Sequence, residues 1–486
     1  MIPSNRCIQS TKKYALYPYY DAIVIGAGIA GLVCGTFLAR CGKKVLIVEQ
    51  HSIPGGYCTS FKRKGFNFDA AVHHIGGCGK WGIVGRCLKT LGIEMDFFPL
   101  DPMDHLVFPN FTIEIPSDMD EYIHRLQNRY SSEKNNIKHF FHDFIKLYRA
   151  TFNNEKSRII DKYKDRTYGE MLNAFFKNEE LKTILSGQWG YIGLPPTKAS
   201  AIGMCQMMVN YLKDGAFFPA GGTQEFANAF FKKFIDFGGH VMLSSKAEKI
   251  LTNGKTAIGV KVQEGKEIPS NLIISNIDAR RTFLELLEGN LDISFLQKIQ
   301  GMRESSSFFL LYLGVSENAD LTKLQRGFYH TATDSACVND EWMYVSVPTK
   351  ICPTLAPPNK QIISVVVYLK KEEYEGITDW KSFKEGMEVS TINWLEEYVP
   401  GLKKHIEVKD AATPKTLERY TSNTNGAAYG WEVGVDQIWD NRPPHETPID
   451  NLYLAGHWTR PGPGICAVVS SGWGVANLIM DKENWR

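Results

Sequence analysis

From Asp21 to Glu49 the apolar positions fall into three blocks, DAIVIGAG, GLVCGTFLARCG and KKVLIVEQ, with glycines at the joints. The outer blocks are short and apolar and the middle one has helix length, so the pattern predicts strand, helix and strand in a βαβ unit. From about Asp118 to Lys182 the spacing changes. Lys, Glu, Phe and Leu recur at helical intervals in DMDEYIHRLQNRY and IKHFFHDFIKLYRATF, and a mainly helical insertion is expected there. GGTQEFANAFFKKFIDFGG then reads as an amphipathic helix closed by Gly238 and Gly239. HVMLSSKAEKIL reads as one strand, Asn253-Gly254 as a turn, and AIGVKV as the next strand. Between Ser305 and about Tyr368 the runs SSFFLLYLGV, MYVSVP and QIISVVVYL predict a second sheet lining a cavity, with CPTLAPPNK as an exposed turn.

A chain of 486 residues exceeds the size at which one core stops growing, so two joined domains with room for a buried cofactor are expected. With 55 basic and 53 acidic side chains the net charge is only +2, which argues against a nucleic-acid partner. The ten cysteines, Cys7, Cys34, Cys41, Cys58, Cys78, Cys87, Cys205, Cys337, Cys352 and Cys466, form no CxxC pair and no zinc-type cluster. No metal is therefore expected, and a reduced, cytoplasmic compartment fits best. MIPSNRCIQSTKKYALYPYY lacks the apolar core of a secretory signal, and no segment has the length of an apolar membrane span, so any membrane contact is peripheral. The oligomeric state is not readable from the chain.

The strongest local signal is GAGIAG. Gly26 allows the tight turn out of the strand, Gly28 lets the backbone approach a pyrophosphate, and Gly31 lets the helix pack on the sheet, with Ile29 and Ala30 between. The phosphate would sit at the positive end of that helix. Glu49, followed by Gln50, ends the second strand where a dinucleotide fold places the carboxylate that accepts from adenosine ribose hydroxyls; an acid there disfavours a 2′-phosphate.

A second glycine pair follows in IPGGYCTSFKRKGFNFDAAVHHIGG, and here the chain resembles the flavoprotein superfamily of amine oxidases and phytoene desaturases. The resemblance implies FAD as the dinucleotide, with Gly55 and Gly56 against the diphosphate, Tyr57 as a further cofactor-binding residue and the following segment beside the isoalloxazine. FFPAGGTQEF, with Pro219, Gly221 and Gly222, looks like the family's segment before the adenine-cradling strand, where Ala247 and Glu248 would be the adenine-side contacts. LIISNIDARRT resembles its Ser-Asn-x-Asp block, with Ser275, Asn276 and Asp278 closing a strand near the cofactor. The most specific stretch is IDNLYLAGHWTRPGPGICAVVSSGWGVANLI. It would deliver Ala455 and Gly456, a loop through Gly462 and Gly464, and a helix starting near Ile465 and Cys466, whose N–H groups stabilise negative charge on the flavin N1/O2 edge. Much of the family has Asp where this chain has His457.

FDAAVHHIGG, QWGYIGLPPTKASA and TPKTLERYTSNTNGAAYGWE bring the likeness nearest to carotenoid isomerases and retinol saturases. The fold implied is α/β. A Rossmann-like FAD-binding domain would be built from residues 20–117, 216–290 and 426–486, with a mainly helical substrate or lid region at 118–215 and a mixed-sheet substrate domain at 291–425. The function implied is oxidoreduction at C=C or C–C bonds of a long apolar polyene or isoprenoid, with hydride exchange at flavin N5. The outcome would be desaturation, saturation or cis-trans isomerisation. A flavin amine oxidase and a non-catalytic prenyl or lipid escort protein of the same fold are the alternatives.

Such chemistry needs a dry pocket and a proton-exchanging group. His73 and His74 are candidates, against a reading as hydrogen-bonded core histidines. Tyr429 and Glu432 are candidate proton donors, with Trp431 as an apolar wall or plain packing. His457 either binds the ribityl or phosphate part of FAD or fills the place of the missing Asp. Arg419 either pairs with the diphosphate or forms a solvated surface pair. QWGYIGLPP and IGMCQMMVNYL either wall a tunnel or pack as core, and Cys58 and Cys466 are assigned no catalysis.

Overall fold

A computed structural model of the chain describes residues 16–152, 157–288, 291–331 and 341–485. Strand β1 (Ala22–Ile25) leads into helix α1 (Ile29–Arg40) and strand β2 (Val45–Val48), which pairs parallel to β1. Ile273–Ser275 lies on the other side of β1, and His240–Met242 and Leu452–Leu454 complete a five-stranded sheet in which every pairing is parallel.

Both faces of this Rossmann-like sheet are covered, which is why its strands carry unbroken apolar runs. Ala22, Val24, Val45, Ile47 and Ile274 face a helical layer of α1, Thr223–Asp236 and Ile465–Lys482. Ile23, Ile25, Leu46, Val48 and Ile273 face the opposite way, onto an antiparallel sheet of Ala247–Asn253, Thr256–Val262 and Lys266–Pro269. Helix α1 is buried from Ile29 to Ala39, as a helix apolar on all sides must be.

HVMLSSKAEKIL departs from the single strand its composition suggests. It holds two strands, His240–Met242 and Ala247–Asn253, in different sheets. Ser244, at φ +52°, breaks the extended run, and the N–H groups of Ser244 and Ser245 donate to the carbonyls of His51 and Glu49. The chain thus turns over the end of β2, a contact that hydrophobic spacing does not encode.

The second sheet has seven strands in the order Ile406–Ala412, Ser307–Val315, Gln361–Leu369, Trp342–Ser346, Gly327–His330, Asp104–Val107, Thr112–Ile115. Ser307–Val315 is buried at every position. Phe309, Leu311 and Leu313 pack with Ile392 and Leu395 of the helix Trp380–Tyr398, whereas Phe308, Leu310 and Tyr312 join a core shared with the helical insertion. That insertion packs Met119–Arg129, Lys134–Phe152, Tyr168–Phe175, Glu179–Ser186 and Ala201–Asp214 around Phe140, Phe141 and Phe144.

Asp104–Val107 and Thr112–Ile115 therefore belong to the second sheet, although the sequence reading carries the first domain to residue 117. They are short, and only their parallel pairing with the distant Gly327–His330 reveals where they lie. CPTLAPPNK is a turn with Pro353, Thr354, Pro358 and Asn359 exposed, but Cys352 and Leu355 pin it to the core. Eight cysteines are free thiols, and Cys7 and Cys337 lie outside the described residues. Among the described residues no helix is long and apolar enough to cross a membrane, and no His, Cys, Asp and Glu group is arranged to hold a metal ion.

A Cβ on Gly31 would stand 2.2 Å from the Gly26 carbonyl oxygen, whereas one on Gly386, in the helix Trp380–Tyr398, would meet nothing within 4 Å. Gly31→Ala should therefore cost about 1–3 kcal/mol through overpacking. Gly386→Ala should add about 0.5–1 kcal/mol through helix propensity. Urea unfolding of both variants checks the contrast, and equal effects would refute the close approach at Gly31.

Candidate dinucleotide and substrate site

A cavity of about 840 Å³ joins the carboxyl end of the parallel sheet to the inner face of the seven-stranded sheet. Part of its wall follows directly on parallel strands: Gly26 and Gly28 after β1, Glu49 and Gln50 after β2, Asn276 after Ile273–Ser275, and Gly456 after Leu452–Leu454. This is the end at which open parallel sheets bind ligands. Ile29, Ala30, Gly55, Gly56, Tyr57, Ala247, His457, Gly464 and Ile465 also line the cavity, as do His73, His74 and Tyr429. Gly31 lies beneath it, at the contact between α1 and the turn.

Two helices begin at this wall. α1 starts after Gly28 and Ile465–Lys482 after Gly464, each without a side-chain cap and without an acid in its first turn. Their leading N–H groups and dipoles suit an anion. Gly26, at φ +96°, makes the turn out of β1, and the Gly55 N–H donates to the Ala27 carbonyl at 2.9 Å, bringing a second backbone segment alongside. Glu49 braces the same turn, accepting from the Ala27 N–H and the His51 N–H at 2.7 Å each. Burial raises its carboxyl above the usual range while these donors pull it back. Each oxygen retains a second lone pair, enough to accept from a ribose hydroxyl.

Several expected contacts fall elsewhere. Glu248 is exposed and off the cavity. Arg419 is exposed too, stacked over Tyr420 at 5.3 Å. The arginine that lines this part of the cavity is Arg281, paired with Glu418 at 3.2 Å and with a buried Nε that has no partner. Ser275 spends its hydroxyl on Thr282, and Asp278 accepts from Thr424 and the Arg280 N–H; of Ser275, Asn276 and Asp278 it is Asn276 that reaches the cavity. His457 presents a buried Nε2 with no protein partner. Burial, then the nearby Arg442 charge, pulls its imidazole down to about 3, so it is neutral. Uncapped helix starts, a glycine cradle and orphaned nitrogens at one wall fit a bound dinucleotide.

The second-sheet wall is aromatic and apolar, with Phe308, Leu310, Phe328, Trp342, Tyr344 and Val366; the helical side adds Tyr191, Met207 and Tyr211 together with polar and charged groups such as Arg86, Gln206, Asn210, Lys213 and Asp214. His73 stacks on Tyr344 at 4.7 Å. Burial lowers both histidines, His73 to about 4, so both imidazoles are neutral at neutral pH. Tyr429 donates its hydroxyl proton to the Gly190 carbonyl at 2.9 Å, and burial raises that phenol, so its proton is committed. Glu432 is no part of the site: it pairs with Arg303 at 2.8 Å and does not line the cavity. The backbone is extended here, so Trp431, fully buried with its indole N–H on the Trp458 carbonyl, turns inward and sends its neighbour out. Cys58, buried, and Cys466, half-buried, line the cavity as free thiols, and desolvation raises both, Cys466 to about 12.

One cluster has no local signature in the sequence. Asp104, fully buried, accepts from Gln188 at 2.7 Å, Tyr191 at 2.6 Å and Tyr344 at 3.1 Å. Burial pushes its carboxyl up to about 6 against those donors. A carboxyl raised on folding holds its proton more tightly in the folded chain. Its contribution to stability is complete below the unfolded value near 4 and is lost as pH rises through about 6. Relative to Asp104→Asn, which cannot titrate, the wild-type stability should therefore fall by about 2–3 kcal/mol between about pH 4 and pH 7. Urea unfolding across that range checks the sign, and a difference that grows with pH would refute the burial argument.

A family model for an NAD(P)-binding Rossmann-like domain matches residues 24–87. The chloroplastic prolycopene isomerase of Daucus carota is 27% identical, aligned over 93% of this chain and 78% of its own length. The all-trans-retinol 13,14-reductase of Danio rerio is 26% identical over 90% of this chain and 82% of its own, and the neurosporene-forming phytoene desaturase of Rhodobacter capsulatus is 26% identical over 95% and 94%. Among solved structures, an oxidoreductase from Methanosarcina mazei matches at TM-score 0.68 and 18% identity over 94% of this chain and 99% of its own. Putrescine oxidase matches at 0.67 and 12% over 95% and 99%. These structures share the fold, a Rossmann-like domain joined to a mixed-sheet domain. The resemblance carried by the glycine motifs thus extends over nine-tenths of the chain, which is similar in sequence to prolycopene isomerases, all-trans-retinol 13,14-reductases and a phytoene desaturase.

Proposed function

We propose that the chain is an FAD-dependent oxidoreductase that acts on carbon-carbon double bonds of a long apolar polyene or isoprenoid, by desaturation, saturation or cis-trans isomerisation. The observation that carries this reading is the continuity of one cavity, glycine-lined at the parallel sheet and aromatic at the second sheet. The names of the three relatives support a polyene. FAD is supported by the second glycine pair and by the C-terminal helix that begins at the cavity.

Bound FAD would supply hydride exchange at N5 of its isoalloxazine. On this reading Gly28, Gly55 and Gly56 admit the diphosphate, the start of α1 offers it N–H donors, and Glu49 accepts from the ribose. Phe308, Phe328, Trp342 and Tyr344 keep water from the reacting carbons. Within this reading His73 and His74 serve to hold or move the accompanying proton. Residues 118–215 and 291–425 form the substrate side. Free thiols at the eight described cysteines support a reducing, cytoplasmic setting. Peripheral membrane contact is supported by Trp81, which lines the cavity yet is 75% exposed, with the Lys80 ammonium 4.9 Å over its ring.

Absorption spectra of the purified protein, oxidised and anaerobically reduced, test the reading when taken before and after adding carotenoid and retinoid polyenes with product analysis. Flavin bands that respond to a polyene, with a product altered in mass or geometry, are expected. Reduction by amines with peroxide release, and indifference to every polyene, would establish an amine oxidase instead. A protein colourless even after FAD addition would leave the escort role. Flotation with anionic liposomes should be weakened by Trp81→Ser, and a wild-type protein that stays soluble at every lipid composition would overturn the membrane contact.

A further inference from the structure

We propose that His74 Nε2 is a hydrogen-bond acceptor for a hydroxyl group on the substrate, so that the cavity selects polyene or isoprenoid alcohols over their hydrocarbons. The inference rests on the polyene reading above and narrows it to a substrate class.

The argument is a count of protons. His74 is 5% exposed and lines the cavity, and its Nε2 has no partner in the protein. Tyr191 and Tyr211 meet the ring edge-on, with centroids at 5.3 and 5.2 Å, and fix its plane. Its Nδ1 lies 3.4 Å from the Tyr344 hydroxyl. Tyr344 has a single proton, and that proton goes to Asp104, an acceptor only once it is ionised. The second O–H donated to Asp104 is that of Tyr191, so no spare donor remains there. Tyr344 must then accept from His74, which places the imidazole proton on Nδ1 and leaves a lone pair on Nε2. Burial keeps the resting ring neutral.

A buried acceptor facing an apolar chamber stays unmet until a ligand brings a donor, and a site built this way discriminates against ligands that lack one. An ether or aldehyde oxygen cannot serve, because it only accepts. Asp104 is thereby a positioning residue: it never meets the substrate, but through Tyr344 it decides which imidazole nitrogen is the acceptor.

The test uses the flavin-loaded protein at about pH 8 and three ligands on one skeleton: all-trans-retinol, its methyl ether, and the hydrocarbon with methyl in place of CH2OH. Binding is read from quenching of tryptophan fluorescence, and the flavin spectrum is followed in parallel. The alcohol should bind about tenfold more tightly than the other two. His74→Phe should bring all three within about twofold. Should that variant not fold, Tyr344→Phe, which frees the ring to carry its proton on either nitrogen, should let the ether approach the alcohol. Three equal affinities in the wild type, with flavin bands answering each ligand, would overturn the hydroxyl inference alone. Ether binding as tightly as the alcohol would show a donor at Nε2 and overturn it too. No binding and no spectral response would overturn it together with the polyene reading.

Discussion

The arrangement of the site depends on one buried guanidinium. Arg442 has no exposed surface, and it donates to the carbonyls of Thr459 at 3.1 Å, His457 at 2.8 Å, Trp431 at 3.1 Å, and Gln437 and Tyr429 at 3.4 Å. Among the described residues no carboxylate pairs with it, and desolvation alone shifts it. Desolvation pulls it down to about 9, which still leaves a cation at neutral pH. Five carbonyl dipoles replace the water it has lost, and they belong to two segments, 429–437 and 457–459, that also meet through Trp431 and Trp458. The C-terminal loop is thereby fastened to the stretch carrying Tyr429. A lysine has three donors and no planar fork, and could not hold five carbonyls at once.

That fastening explains why the dinucleotide wall and the aromatic wall form one cavity. His457 is fixed through its own carbonyl, which aims its unpartnered Nε2 along the wall shared with Tyr57, whose ring lies 6.3 Å away. Tyr57 in turn donates to Ala427, two residues before Tyr429, at 2.8 Å. The glycine segment, the C-terminal loop and the 427–431 stretch are thus tied largely through backbone carbonyls, with the Trp431 and Trp458 rings packed edge-on at 4.7 Å beside them. Backbone acceptors leave no trace in residue identity.

This is also the line between what was legible in the sequence and what was not. The βαβ unit could be read because strands covered on both faces must be apolar throughout, and the C-terminal block because glycine is needed where backbone approaches a ligand. The helical insertion followed from its period. Asp104 could not be read: its partners are 84, 87 and 240 residues away and meet only after the second sheet has formed. Gln188 and Tyr191 sat within QWGYIGLPP, where the aromatic content masked a polar role. Glu432 was misplaced by adjacency, since sequence neighbours on extended backbone face opposite ways. Arg419 and Arg281 lie on different helices, Pro414–Thr421 and Arg281–Leu286, and nothing local says which of the two helices presents its arginine to the cavity.

The same burial that shapes the cavity constrains its chemistry. An amine substrate reaches such an interior either as a cation, needing an opposed carboxylate, or after losing a proton to a base. The carboxylates that line the cavity are already occupied or outlying: Glu49 accepts from two backbone N–H groups, Glu285 is exposed beside Arg281, and Asp214 lies near the Lys213 and Arg86 charges. Beside the aromatic wall the bases are the imidazoles of His73 and His74, held neutral by burial, with His73 near 4, and they resist taking a proton from an ammonium; Lys213 and Lys246, which also line the cavity, add positive charge that repels one. A polyene demands none of this. It requires aromatic walls and an uncharged group for a proton or a hydroxyl, and what Phe308, Phe328, Trp342 and the neutral His73-His74 pair provide is that combination. Desolvation, the term that would penalise an ammonium here, is what makes the chamber hospitable to a hydrocarbon chain.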